Sequence, residues 1–99
     1  MSNASIASRI LEVVLAFESG RGSPFLVNES IELHSPAFAA IPRELIDRLN
    51  HLGLTLLKED LSEFEREQLG WPNRTAETTE AIKGILIQLG ASPVNGAQP

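Results

Sequence analysis

The sequence predicts an α+β domain dominated by helices, about four of them, with one short β element near residues 25–33. The alternative is an all-α bundle in which that segment is merely extended. Three observations lead there. Apolar residues recur at helical spacing in three stretches, they alternate in one, and 99 residues suffice for a single core and no more. The expected organisation is one globular domain over residues 1–90 and a disordered, proline-bearing tail over 91–99.

The first helix is expected from Ile6 to Ser19, with Ser5 as its N-cap and Gly20 as its left-handed stop. Ile6, Ile10, Val13, Val14 and Phe17 share one face; Leu11 and Leu15 lie on a second, roughly opposite face. A helix this apolar is either central or shared with another molecule, and Leu11 and Leu15 are the residues expected to join two copies in a homodimer. The run Ile10–Phe17 is broken by Glu12, lacks a preceding basic region and is too short to span a bilayer. It reads as a mature helix and not a signal peptide.

Arg21-Gly22-Ser23-Pro24 reads as a loop. Beyond it Phe25, Val27, Ile31 and Leu33 fall on one side of an extended chain, with Leu26, Asn28, Ser30 and Glu32 on the other and Glu29 as the misfit. That alternation predicts a half-buried strand, for which Leu54–Leu57 is the candidate partner. Ser35-Pro36 suggests an N-cap and first-turn proline opening a short turn through Ala40. Pro42 starts the second full helix, expected to end before Gly53, with Ile41, Leu45, Ile46, Leu49 and Leu52 as its buried stripe.

Ser62-Glu63-Phe64-Glu65 has capping-box form and opens a short helix that stops near Gly70. The last helix opens at Asn73 or Thr75 and ends at Gly90, with Ile82, Ile85, Leu86 and Leu89 inward; Gly84 within it suggests a close helix crossing. The core is expected from Ile10, Val13, Val14, Phe17, Leu45, Leu49, Ile82, Leu86 and Leu89.

Composition narrows the function. The absence of Cys removes disulfides, thiolate metal sites and thiol nucleophiles, and fits a reducing, cytoplasmic setting. The net charge of −5 repels phosphate backbones and argues against nucleic acid and anionic membranes as partners. A helix-turn-helix reader would need basic or amide side chains on a recognition helix, and the last helix carries only Lys83.

His51 lies four residues after Asp47 and seven after Glu44, a spacing that can hold a divalent metal, but Arg43 already suits Asp47 as a partner. His34 beside Ser35 suggests a base and a nucleophile, yet adjacent residues in an extended segment point apart. Gly20-Arg21-Gly22-Ser23 resembles a phosphate loop, but follows a helix and feeds the expected strand, which is the wrong polarity. No catalytic, metal or cofactor site is therefore assigned. The three Asn-X-Ser/Thr triplets, at Asn3, Asn28 and Asn73, are read as chance.

The expected function is a small acidic protein-interaction module: an adaptor, regulatory subunit or inhibitor acting by occlusion, and not an enzyme. Its expected partner site is the acidic stretch Glu59, Asp60, Glu63 and Glu67 with Trp71, facing a basic protein surface. The alternatives are a small metal- or ligand-binding enzyme using His34 or His51, and a structural homodimer without a ligand.

Overall fold

Capping chemistry sets several of the helix boundaries. The structure, a computed structural model, describes residues 2–61, 65, 68, 70 and 74–91, and of residues 60 and 61 the backbone alone. Helix α1 spans Asn3–Glu18, α2 Pro24–His34, α3 Arg43–Leu61 and α4 Thr75–Gln88, with a 3₁₀ turn at Ser35–Ala37 after α2. The described residues hold no strand, so the architecture is all-helical and the α+β expectation is corrected.

Helix α1 begins three residues earlier than its apolar pattern. Ser2, not Ser5, is the cap, its hydroxyl accepting from the Ser5 N–H at 3.1 Å. The end is a Schellman closure: Gly20 N–H reaches Phe17 O at 3.0 Å and Arg21 N–H reaches Ala16 O at 2.8 Å. Helix α4 closes in the same way, with Gly90 N–H on Ile87 O and Ala91 N–H on Leu86 O. Gly20 and Gly90 have φ of +80° and +106°, the left-handed values this closure needs. Ala91, which the sequence assigns to the tail, is buried against the core; residues 92–99 lie outside the described residues.

The segment expected as a strand is α2. Ser23 accepts from the Leu26 N–H at 3.2 Å and Pro24 occupies the first turn, whereas Ser35, expected as an N-cap, makes no such capping bond and is itself the first residue of the 3₁₀ turn. Val27 and Ile31, four apart, turn inward, whereas Phe25 and Leu33 turn outward. Over so few residues, period-two and helical patterns share several positions. Glu29, the misfit in the strand reading, is exposed on the outer side of the helix. Leu54–Leu57, the supposed pairing partner, is helical as well.

Helix α3 runs through Gly53 instead of stopping there. Leu49, Gly53 and Leu56 are all buried, at spacings of four and three, so the inward stripe continues unbroken across the glycine. Gly53 is the point where α3 meets α2. A β-carbon there would lie 2.8 Å from Asn28 Oδ1 and 3.1 Å from Ile31 Cδ1. The close crossing expected at Gly84 is thus found at Gly53, and Gly84 is open to solvent with nothing within 4 Å of an added β-carbon.

The helices pack as a ring, α1 on α2, α2 on α3, α3 on α4 and α4 back on α1. The core between them is Ile6, Ala7, Ile10, Leu11 and Val14 of α1, Val27 and Ile31 of α2, Leu49 and Leu56 of α3, and Ile82, Ile85 and Leu86 of α4. Val13, Phe17 and Leu45, expected fully inside, are packed against its edge. Leu11 is 1% exposed: its face of α1 is covered by the chain's own helices, and Leu15 is partly buried beside it.

Candidate functional site

The histidines go to separate places. His34 ends α2, and its Nδ1 lies 2.9 Å from the Ser30 carbonyl; a carbonyl only accepts, so Nδ1 carries the proton of that bond. The neighbouring Ser35 hydroxyl is buried and turned toward α3, where Asn50 Nδ2 donates to it at 3.2 Å. Asn50 also donates to Ile46 O at 2.9 Å. His34 and Ser35 therefore serve the end of α2 and the α2–α3 seam rather than each other. His51 is exposed on α3, with Asp47 held by Arg43 Nε at 3.4 Å. Among the described residues no group of three metal-ligating side chains converges.

The polarity argument against Gly20–Ser23 as a phosphate loop does not hold, because the loop does precede a helix. Two of the three first-turn positions nevertheless offer an anion no free donor: Pro24 has no N–H, and the Leu26 N–H is bonded to Ser23. Of the expected partner residues, Glu59 is half-buried and accepts from the Thr78 hydroxyl at 2.8 Å, joining α3 to α4. Asp60 continues α3. Glu63, Glu67 and Trp71 lie outside the described residues, as does the expected capping box at Ser62.

What sequence reading missed is the outer side of α2. Phe25 is 57% exposed, Leu26 44% and Leu33 72%, and Glu29 and Glu32 are exposed among them. At ~100° per residue all five fall within one third of the helix circumference. Phe25, Asn28, Glu29, Glu32 and Leu33 line a shallow groove of about 390 Å³. The Glu32 carboxylate is fixed there by Asn28 Nδ2, which donates to Oε1 at 2.6 Å. Asn28 itself is buried, with Oδ1 turned to the α2–α3 crossing and without a hydrogen-bond partner.

Glu32 also borders a second concavity of about 560 Å³, between the end of α2 and the first turns of α3. Pro36, Phe38, Ile41 and Ile46 supply its apolar wall, Ser35 and Asn50 its part-buried amide–hydroxyl pair, and Arg43 and Asp47 its exposed charges. The wall is held by a remote clamp. The Asn3 side chain donates to Ala39 O at 2.8 Å and accepts from Ala39 N at 2.9 Å, so the start of α1 fixes the 38–41 loop. Ala40 within that loop has φ +58°, a strained value for a residue with a β-carbon.

At the opposite side of the molecule Lys83 joins α4 to α1. Its Nζ lies 2.8 Å from Glu80 Oε1 and 3.0 Å from Glu18 Oε2. The hydrogen bond to Glu80, followed by that to Glu18, raises the Lys83 pKa above its usual value. No described helix is long and apolar enough to cross a membrane. The chain matches no protein-family model, no curated protein and no solved structure.

Proposed function

We propose that this chain acts by binding another protein through the outer face of α2, as a small acidic adaptor, regulatory subunit or occluding inhibitor. The observation that carries the reading is the clustering of Phe25, Leu26 and Leu33 in solvent on one side of one helix. Single exposed apolar residues are ordinary on any protein; three on one face beside a groove mark a contact surface. Burying such a side chain from full exposure contributes ~1.5–3 kcal/mol, and covering the part of these three still in water contributes roughly half of that each.

The charge pattern supports a protein with a basic surface over a second copy of the chain. A two-fold interface on this face would bring Glu29 and Glu32 against their own copies. The homodimer expected through Leu11 and Leu15 is the less favoured reading because Leu11 is enclosed by its own fold. A cytoplasmic setting fits the cysteine-free composition.

The test is affinity capture from the native source with the full chain and with a Phe25→Ser/Leu33→Ser variant, followed by mass spectrometry and titration of the purified partner. Both positions are exposed, so the variant keeps its fold, which circular dichroism verifies. The expected result is a partner retained by the wild type and lost by the variant. A partner held equally by both would remove α2 from the site.

A further inference from the structure

We infer that the occupant of this face is a basic amphipathic helix, laid along α2 and sending one lysine or arginine side chain over Glu32 into the adjoining concavity. This inference rests on the binding role proposed above and adds the chemistry of the partner. From Phe25 to Leu33 the outer face extends eight residues, ~12 Å or about two turns at 1.5 Å per residue. Its apolar contacts stand at the two ends, Phe25 and Leu26 at one and Leu33 at the other, with a carboxylate between them at Glu29. A partner helix with apolar residues at i, i+3/i+4 and i+7 spans that interval and meets both ends. An extended segment would cover the same distance in about four residues and offer fewer side chains to one face.

Charge complementarity fixes the sign of the occupant. Helix α2 contains no lysine or arginine, and its outer face carries Glu29 and Glu32. Arg43, in the neighbouring concavity, is engaged by Asp47. Glu32 lines both hollows, and its carboxylate is held in place by Asn28 instead of swinging free. A long cationic side chain suits this junction. Its head meets an oriented carboxylate at the rim, beside the apolar wall of Phe38, Ile41 and Ile46. The same two glutamates repel an anionic lipid surface and a nucleic-acid backbone, and a second copy of this chain brings two further glutamates.

The probe is a synthetic leucine–lysine peptide of about 18 residues, roughly five turns, with leucine at helical spacing. It is compared with its leucine–glutamate counterpart and with a version broken by a central proline. Amide shifts of the full-length chain give the site, and titration gives Kd. The basic helix is expected to shift residues 25–33 together with Phe38, Ile41 and Asp47, and the other two peptides to bind at least roughly tenfold more weakly. Glu32→Lys is expected to weaken the basic peptide by about tenfold or more, and Glu77→Lys, on the exposed surface of α4, to change it little.

Equal losses from the two substitutions, equal binding of the acidic and basic peptides, or shifts confined to another face would each overturn the inference. So would binding of neutral phosphatidylcholine vesicles through α2 in preference to the peptide. A captured partner that depends on Phe25 and Leu33, yet is not displaced by the basic peptide, would sink the helix chemistry and leave the docking face standing. Loss of both results would remove the two together.

Discussion

Helices α1 and α2 invite opposite conclusions from sequence and reach opposite fates in the fold. Helix α1 looks too apolar for a small domain, with Leu11 and Leu15 facing away from the main stripe. In the ring of helices it lies against both α2 and α4, so two of its faces are inside, and Leu11 is as enclosed as Ile10. Helix α2 looks like an edge strand with one apolar side to hide, and instead leaves Phe25, Leu26 and Leu33 in water. Leu54 of α3 and Ile87 of α4 are exposed as well, one on each helix, so the surplus that gathers on one helix face is on α2. Both helices have two neighbours, but α1 fills its buried arc with Ile6, Ala7, Ile10, Leu11 and Val14, whereas α2 gives part of its own to Asn28 and Ser30 and leaves Phe25, Leu26 and Leu33 outside it. Counting apolar residues therefore finds the surplus, and only the packing order finds its place.

Truncation at matched leucines gives the sharpest way to break this contrast. Leu11→Ala removes a fully enclosed side chain and is expected to cost ~2–5 kcal/mol in unfolding free energy. Leu33→Ala removes an exposed one, and should stay within ~0.5 kcal/mol of wild type by chemical denaturation. If both cost about 1 kcal/mol, the burial assigned to α1 is wrong and the dimer reading of Leu11 returns.

A smaller effect separates the two helical glycines. Gly53→Leu forces a side chain against Asn28 and Ile31 where α3 crosses α2, and is expected to cost ~1–3 kcal/mol. Gly84→Ala, in open space on α4, is expected to stabilise by up to ~1 kcal/mol through helix propensity and the unfolded chain. Thermal melts of the two variants should therefore move in opposite directions. Moves in the same direction would mean that the seat of α2 on α3 is not set by Gly53, and that the outer face of α2 is turned differently.

These cases show what the chain makes legible. The stripes of α1 and α4, Leu49 of α3, the stops at Gly20 and Gly90 and most of the core can be read directly, because each depends on residues close in sequence. Ile10, Val14, Leu49, Ile82, Leu86 and Leu89 are all buried as expected. The reading fails where one local signal serves two structures. Phe25–Leu33 satisfies both a strand and a helix over its short length, and the deciding mark is Ser23-Pro24 as a cap. Gly53 reads as a stop because glycine usually breaks helices, while the Leu49 and Leu56 positions on either side keep helical register. The candidate site was hidden for a further reason. Exposed apolar residues on α2 can be told from buried ones only after the neighbours are known. The acidic stretch that sequence favours falls mainly outside the described residues; of its described side chains, Glu59 is tied to Thr78 and Glu65 is exposed.

The least costly change tests how α1 is fastened on the side away from α2. Lys83 links α4 to the end of α1 through Glu18, and the bond to Glu80 in its own helix adds to it. The pair is partly exposed, so Lys83→Met is expected to cost ~0.5–1 kcal/mol at neutral pH. The pH dependence follows from the raised Lys83 pKa. Below the ordinary lysine value the ammonium is charged in both folded and unfolded chains, and its stabilising effect is fully present. As pH rises above that value the unfolded chain loses its proton first, and the contribution fades as pH passes through the folded value. Denaturation at pH 7 and near pH 11 should therefore show the wild type converging on Lys83→Met in alkali. A gap that stays constant across that range would show that the methylene packing of Lys83 against α1, and not its charge, makes the contact, leaving α1 held by apolar burial alone.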